Sequence, residues 1–139
     1  MTMNTISIQL KNNLSELESL NKVVAEFAER HHLSSKVLLN LSLALEEILT
    51  NVISHAYDDN DEHQIMVRLF LEQGQLKVEV EDDGRPFNPL EAPEPDLNKS
   101  LEERSIGGLG IHFVRKLMDE LEYRREEGKN LFLIKIKEP

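Results

Sequence analysis

An α/β (α+β) two-layer sandwich is predicted by three features of the sequence. The periodicities run β-α-α-β-β, then a proline-rich stretch, then α-β-β. Two alternating segments meet at a tight turn, and each helical segment carries a single apolar face. Hairpin-joined strands beside segregated helices give a mixed, mostly antiparallel sheet covered on one face by three helices. The 139 residues suit one core, without internal repeats, so a single domain over 1–139 is expected.

The first strand is "TISIQLK", where Ile6, Ile8 and Leu10 alternate with polar residues. A helix follows in "NNLSELESLNKVVAEFAERHH", with Leu17, Leu20, Val24, Phe27 and His31 three or four apart and Asn13 or Ser15 available as cap. Ser34 or Ser35 can cap the second helix, which is expected to run to about Tyr57, where "DDND" supplies turn formers. Strands at Gln64 to Glu72 and Gln75 to Asp83 meet at "QG". The segment "GRPFNPLEAPEPDLNKSLEERS" holds four of the five prolines and reads as a lid, binding loop or disordered stretch. A third helix is expected to carry Ile111, Val114, Leu117, Met118 and Leu121. Strands near Glu122 to Arg125 and Leu131 to Lys137 close the chain.

A formal charge of −10 argues against tracking a phosphate backbone, so no nucleic-acid partner is expected. It permits a basic protein partner, or simply a soluble surface. Without cysteines there are no disulfides or thiolate metal sites, which fits a reducing compartment. "MTMNTISIQL" has no signal-peptide pattern, and no apolar run approaches the ~20 residues of a membrane span. A cytoplasmic location without membrane attachment is the expectation.

Three local patterns carry chemistry. In "ALEEILTNVISHAY", Glu47 and Asn51 lie one helical turn apart on the border of the apolar face, while Glu46 points well away. A half-buried acid and amide need partners; they form either a simple side-chain pair along the helix or part of a site. In "QLKVEVEDDG", Asp82 is in phase with Leu76, Val78 and Val80, so a carboxylate faces the core just before Gly84. It either caps its own turn or meets a ligand. In "RSIGGLGIHFVRKL", glycines open a helix, where free N–H groups favour an anion; neither a P-loop nor a Rossmann context accompanies them.

Taken in this order, the three patterns resemble the N, G1 and G2 boxes of the GHKL (HATPase) superfamily, with its Bergerat-type ATP-binding fold. "EEILTNVISHAY", "VEDDGRPFNP" and "GGLGIHFVRKLMDELEY" look like the small anti-sigma-factor serine kinases of the RsbW type. The resemblance implies ATP and Mg2+, with Glu47 as general base and Asn51 as the metal-coordinating residue. It implies that Asp82 accepts a hydrogen bond from the adenine amino group, that Gly84 lets the base approach, and that Gly108, Leu109 and Gly110 contribute at the phosphates. Arg104 is implied as a γ-phosphate contact, and the ATP lid as about 84–107. Where other members often carry a Gly-Thr pair, this chain has Lys129-Asn130.

The implied activity is a regulatory protein serine/threonine kinase that holds a sigma factor or similar client. Its substrate would be a STAS-domain anti-anti-sigma protein, and it would act as a homodimer. The alternative is a nucleotide-gated binding module without phosphotransfer, which would need Asn51 and Asp82 but not Glu47.

Overall fold

The computed structural model describes residues 5–59, 61–88 and 114–137. Five strands and two long helices lie within them: β1 (Thr5–Lys11), α1 (Glu16–Arg30), α2 (Ser35–His55), β2 (Gln64–Glu72), β3 (Gln75–Asp82), β4 (Glu120–Glu126) and β5 (Lys129–Lys137). The strands form one sheet in the order β1-β2-β3-β5-β4, and all four pairings are antiparallel. Residues 114–117 are helical and mark the third helix.

Register follows from the alternation. The cross-strand row Ile8–Val67–Val80–Phe132–Tyr123 and its neighbour Ile6–Leu69–Val78–Ile134–Leu121 face the helices. Against them pack Leu20, Val24 and Phe27 of α1, and Leu41, Leu45, Ile48, Leu49 and Val52 of α2. The opposite face carries charge, with Arg68 reaching Glu79 at 3.4 Å and Glu81 at 3.7 Å. Both hairpin turns place two consecutive residues at positive φ, Gln73-Gly74 (49° and 76°) and Glu127-Gly128 (49° and 78°). These turns match strand twist, and the glycine takes the second left-handed position without a side-chain clash.

Ser34, not Ser35, caps α2: its hydroxyl accepts from the Val37 N–H at 3.1 Å. At α1, Ser15 occupies the cap position without a side-chain bond, and Asn13 Oδ1 instead accepts from the Ser15 N–H at 3.0 Å. α1 ends in paired bonds from Leu33 N to Ala28 O and His32 N to Glu29 O, with His32 at φ 56°.

Two expectations are corrected. Leu121 belongs to β4, opposite Ile134, because pairing with β5 recruits the chain from Glu120 onward. By length and composition, the 21-residue α2 is also apolar enough to cross a membrane. Its buried residues are those packed into the sheet core, which makes it the central helix of the sandwich.

Candidate functional site

The buried face of the sheet ends in a polar row. One step beyond Val80–Phe132–Tyr123 lie Asp82, Asn130 and Arg125, paired Asp82↔Asn130 and Arg125↔Asn130. Asp82 is 4% exposed and Asn130 3%, and with Asn51 at 6% they are the buried polar residues among those described. Strand parity therefore carries a carboxylate and an amide inward where the apolar rows stop.

Asp82 Oδ1 accepts from the Gly84 N–H at 2.9 Å and from Asn130 Nδ2 at 2.9 Å. The first bond is the turn cap that the sequence left open. Oδ2 has no partner among the described residues, so the carboxylate keeps one unshared acceptor. Burial pushes the Asp82 carboxyl above the usual aspartate range, opposed by the bonds from Asn130 and Gly84.

On α2, Asn51 Nδ2 donates to Glu47 Oε1 at 3.2 Å, so the side-chain pair along the helix exists. It leaves the Asn51 amide oxygen without a partner among the described residues, although the residue is buried. Burial raises the half-buried Glu47 carboxyl above the ordinary glutamate value; the Asn51 bond opposes that shift and the neighbouring Glu46 charge adds to it. Glu46 itself is exposed, as its position on the helix predicts.

Gly84 joins the two halves. A β-carbon there would lie 2.4 Å from the Ala56 carbonyl oxygen, just past the end of α2. Arg85 follows, its N–H donating to Ala56 O at 2.8 Å and its Nε to His55 O at 2.7 Å. Arg125 donates to Gly84 O at 2.7 Å, and the Phe87 ring sits 5.4 Å from the His55 ring. These contacts tie the C-terminal end of α2 to the strand end that carries Asp82. Phe87 thus packs at the root of the 84–107 segment.

A second cluster lies beside it. The His63 ring stacks on Tyr57 at 4.3 Å, with Nε2 2.8 Å from Asp59 Oδ1 and Nδ1 3.5 Å from Asp83 Oδ1. The Tyr57 hydroxyl donates to Asp83 at 3.3 Å. The Asp59 bond raises the His63 pKa and lowers that of Asp59, while burial and the Asp82 and Asp83 charges raise the Tyr57 phenol.

The structure thus brings together Glu47 with Asn51, and Asp82 with Gly84. Arg104, Gly108, Leu109 and Gly110 lie outside the described residues, as does most of the proposed lid. Sequence reasoning missed Ala56, Arg85, Tyr123 and Arg125. The two strand residues had a usable signal: Arg125 and Tyr123 share parity along β4, as Asn130 and Phe132 do along β5.

Among the described residues, no group of three or more His, Asp or Glu side chains could hold a metal. The Asn51 amide oxygen, unpartnered among the described residues, fits as one hard ligand for a Mg2+ ion that a nucleotide would bring. The unshared Asp82 acceptor fits an exocyclic amino group.

An antiparallel sheet backed by helices on one face, with these polar groups at one end, is the α/β sandwich of an ATPase domain. The chain belongs to the histidine kinase-like ATPase domain family, which matches residues 10–135. It is 30% identical over 103 residues to the serine/threonine-protein kinase BtrW of Bordetella bronchiseptica, covering 74% of this chain and 72% of that one. It is 33% identical over 128 residues to the anti-sigma F factor of Caldanaerobacter subterraneus subsp. tengcongensis, covering 85% and 88%. The serine-protein kinase RsbW of Listeria monocytogenes serotype 4a is 29% identical over 126 residues, covering 86% and 80%. In three dimensions, the structure of the RsbU and RsbW domains of Rv1364c from Mycobacterium tuberculosis superposes with a TM-score of 0.70 at 14% identity. That match covers 96% of this chain and 32% of the other, and it shows the fold.

Proposed function

We propose that this chain is an ATP-dependent protein serine/threonine kinase and anti-sigma factor whose substrate is a STAS-domain anti-anti-sigma protein. The observation that carries the proposal is the linkage of the Glu47–Asn51 pair to the unshared Asp82 acceptor through the Gly84–Ala56 contact. Names of relatives at about 30% identity support the kinase and anti-sigma roles.

In this reading Asp82 Oδ2 accepts from the adenine amino group, and Asn51 is the protein ligand of Mg2+. The ion, when bound, would neutralise charge developing on the phosphates. The substrate hydroxyl oxygen bonds to the γ-phosphorus as the bond to the β–γ bridging oxygen breaks, with ADP leaving. Glu47 Oε takes the hydroxyl proton, and its burial makes it a better acceptor than an exposed glutamate. Gly108, Leu109 and Gly110 supply backbone donors, and Arg104 a cation, at the phosphates. The whole chain acts as one domain, with the lid over about 84–107. The protein is proposed to be a cytoplasmic homodimer.

The Glu47–Asn51 hydrogen bond favours a second reading, in which Glu47 only positions Asn51 and the chain is a nucleotide-gated binding module. A pull-down from native lysate with ADP, followed by Mg·ATP and intact-mass analysis, separates the two. A captured partner gaining one phosphoryl group, with the gain lost in Glu47→Ala, supports the kinase. Nucleotide-dependent capture with no mass change refutes it.

A further inference from the structure

The Asn130 side chain is shared among five partners. Its Nδ2 donates to Asp82 Oδ1 at 2.9 Å and to Arg85 O at 2.8 Å. Its Oδ1 accepts from Arg125 at 3.1 Å, from the Phe87 N–H at 3.4 Å and from the Tyr123 hydroxyl. Two acceptors on one side and three donors on the other leave the amide a single orientation. Neither a carboxylate nor a hydroxyl can serve all five. A carboxylate presents no N–H to Asp82 and Arg85 O, and a hydroxyl has one proton to give.

The consequence falls on Asp82. Asn130 and Gly84 both donate to Oδ1, which favours the ionised carboxylate against its burial, and among the described residues Oδ2 is left to accept. The same amide holds Arg85 and Phe87, the first residues after the turn. Arg125 closes the loop by donating to both Asn130 and Gly84 O.

We propose that Asn130 is a specificity-determining positioning residue: its amide holds Asp82 as an acceptor and locks it to the Arg85–Phe87 segment, so that the site selects a purine with an amino group at C6 over one with an oxo group at C6. An oxo group at that position would set one oxygen acceptor against another, a repulsive contact in a buried site. The inference rests on the adenine-nucleotide reading above and extends it to a residue on another strand.

The isosteric Asn130→Asp variant gives the sharpest test. It places a second carboxyl against Asp82 and Arg85 O, and the pair can persist only by sharing a proton. Affinities of ATP and GTP are measured by titration for wild type, Asn130→Asp and Asn130→Thr at about pH 5.5 and about pH 8. In Asn130→Asp, ATP affinity should rise roughly tenfold or more on acidification, as the shared proton restores a donor toward Asp82. Wild type should show no such rise. Asn130→Thr keeps one donor, so its preference for ATP over GTP should persist while its affinity for both falls.

Thermal unfolding of the nucleotide-free proteins gives an independent readout. Asn130→Asp should gain stability relative to wild type as pH falls, because its folded-state carboxyls hold a proton that the unfolded chain releases. Wild-type binding of ATP, with Asn130→Asp matching it in pH profile and in ATP-to-GTP ratio, overturns this inference alone. A wild-type chain that binds neither nucleotide overturns the functional reading and this inference with it.

Discussion

Gly84 and Ala56 touch so closely that any β-carbon on Gly84 would stand 2.4 Å from the Ala56 carbonyl oxygen and 2.8 Å from its Cβ. Gly84 is not among the positive-φ residues, so the requirement is for space and not for backbone freedom. The sequence allows this glycine either a sharp turn or the close approach of a ligand, and the family resemblance implies the latter. The structure supplies a packing reason: α2 and the end of β3 meet there, two residues after Asp82 and five after Asn51.

Gly84→Ala should therefore destabilise the protein by about 1–3 kcal/mol, the range for overpacking a tight contact. Adding Ala56→Gly removes the Cβ clash but leaves the carbonyl at 2.4 Å, so recovery should be partial. Denaturant midpoints of the two proteins check this; full recovery would show that the side-chain clash alone matters.

Asp82→Asn should separate stability from binding. The amide oxygen can still accept from Gly84 N and Asn130 Nδ2, while the buried charge disappears. Burial raises the Asp82 pKa, so ionisation opposes folding, and the penalty grows as pH rises from the ordinary aspartate range through the raised folded value. The variant should match wild type in acid and exceed it at neutral pH. Loss of a charged acceptor should weaken ATP binding about ten- to a hundredfold. Calorimetric unfolding and titration read the two effects separately, and unchanged ATP affinity would sink the adenine assignment.

His63 provides a pH-dependent support beside the strand end. Its pKa is raised through the Asp59 bond, so its contribution is full below the unfolded histidine value and is lost as pH rises through the folded one. The Asp59 pKa is lowered, so that half is lost only in strong acid. His63→Gln should therefore lower the melting temperature in mild acid and differ less from wild type in alkali. Equal differences at both ends would show that Tyr57 stacking, not charge, is the contribution.

In the proposed mechanism, Glu47 must be ionised to take the hydroxyl proton. Its raised pKa predicts a phosphotransfer rate that falls on acidification with a midpoint above the ordinary glutamate range. Glu46→Gln removes the neighbouring charge and should move that midpoint down without removing activity. An unmoved midpoint in single-turnover pH profiles would assign the titration to another group.

Much of this was legible locally. Alternation in "QLKVEVEDDG" places Asp82 in the buried phase, and α2 periodicity places Glu46 outward and Asn51 on the border of the apolar face, where the fold buries it. Asn130 stands out in the sequence only as a departure from a Gly-Thr pair, because its bond to Asp82 spans 48 positions and depends on β3–β5 register. Leu121 falls at helical spacing after Leu117 and "ELEYRRE" carries only a weak apolar alternation, whereas the edge pairing with β5 that makes it a strand is not local information. The Tyr57–His63–Asp83 cluster escaped for the same reason: its members come from two linkers that only the folded sheet brings together.

The most direct measurement is ATP affinity with and without Mg2+ for wild type and Asn51→Ala. A single nucleotide site held jointly by α2 and the Asp82 strand end predicts a Mg2+-dependent gain in wild type. Asn51→Ala should lose most of that gain while keeping the metal-independent affinity that Asp82 supplies. An equal Mg2+ gain in both proteins would contradict the assignment of Asn51, and with it the proposed link between the helix pair and the phosphates.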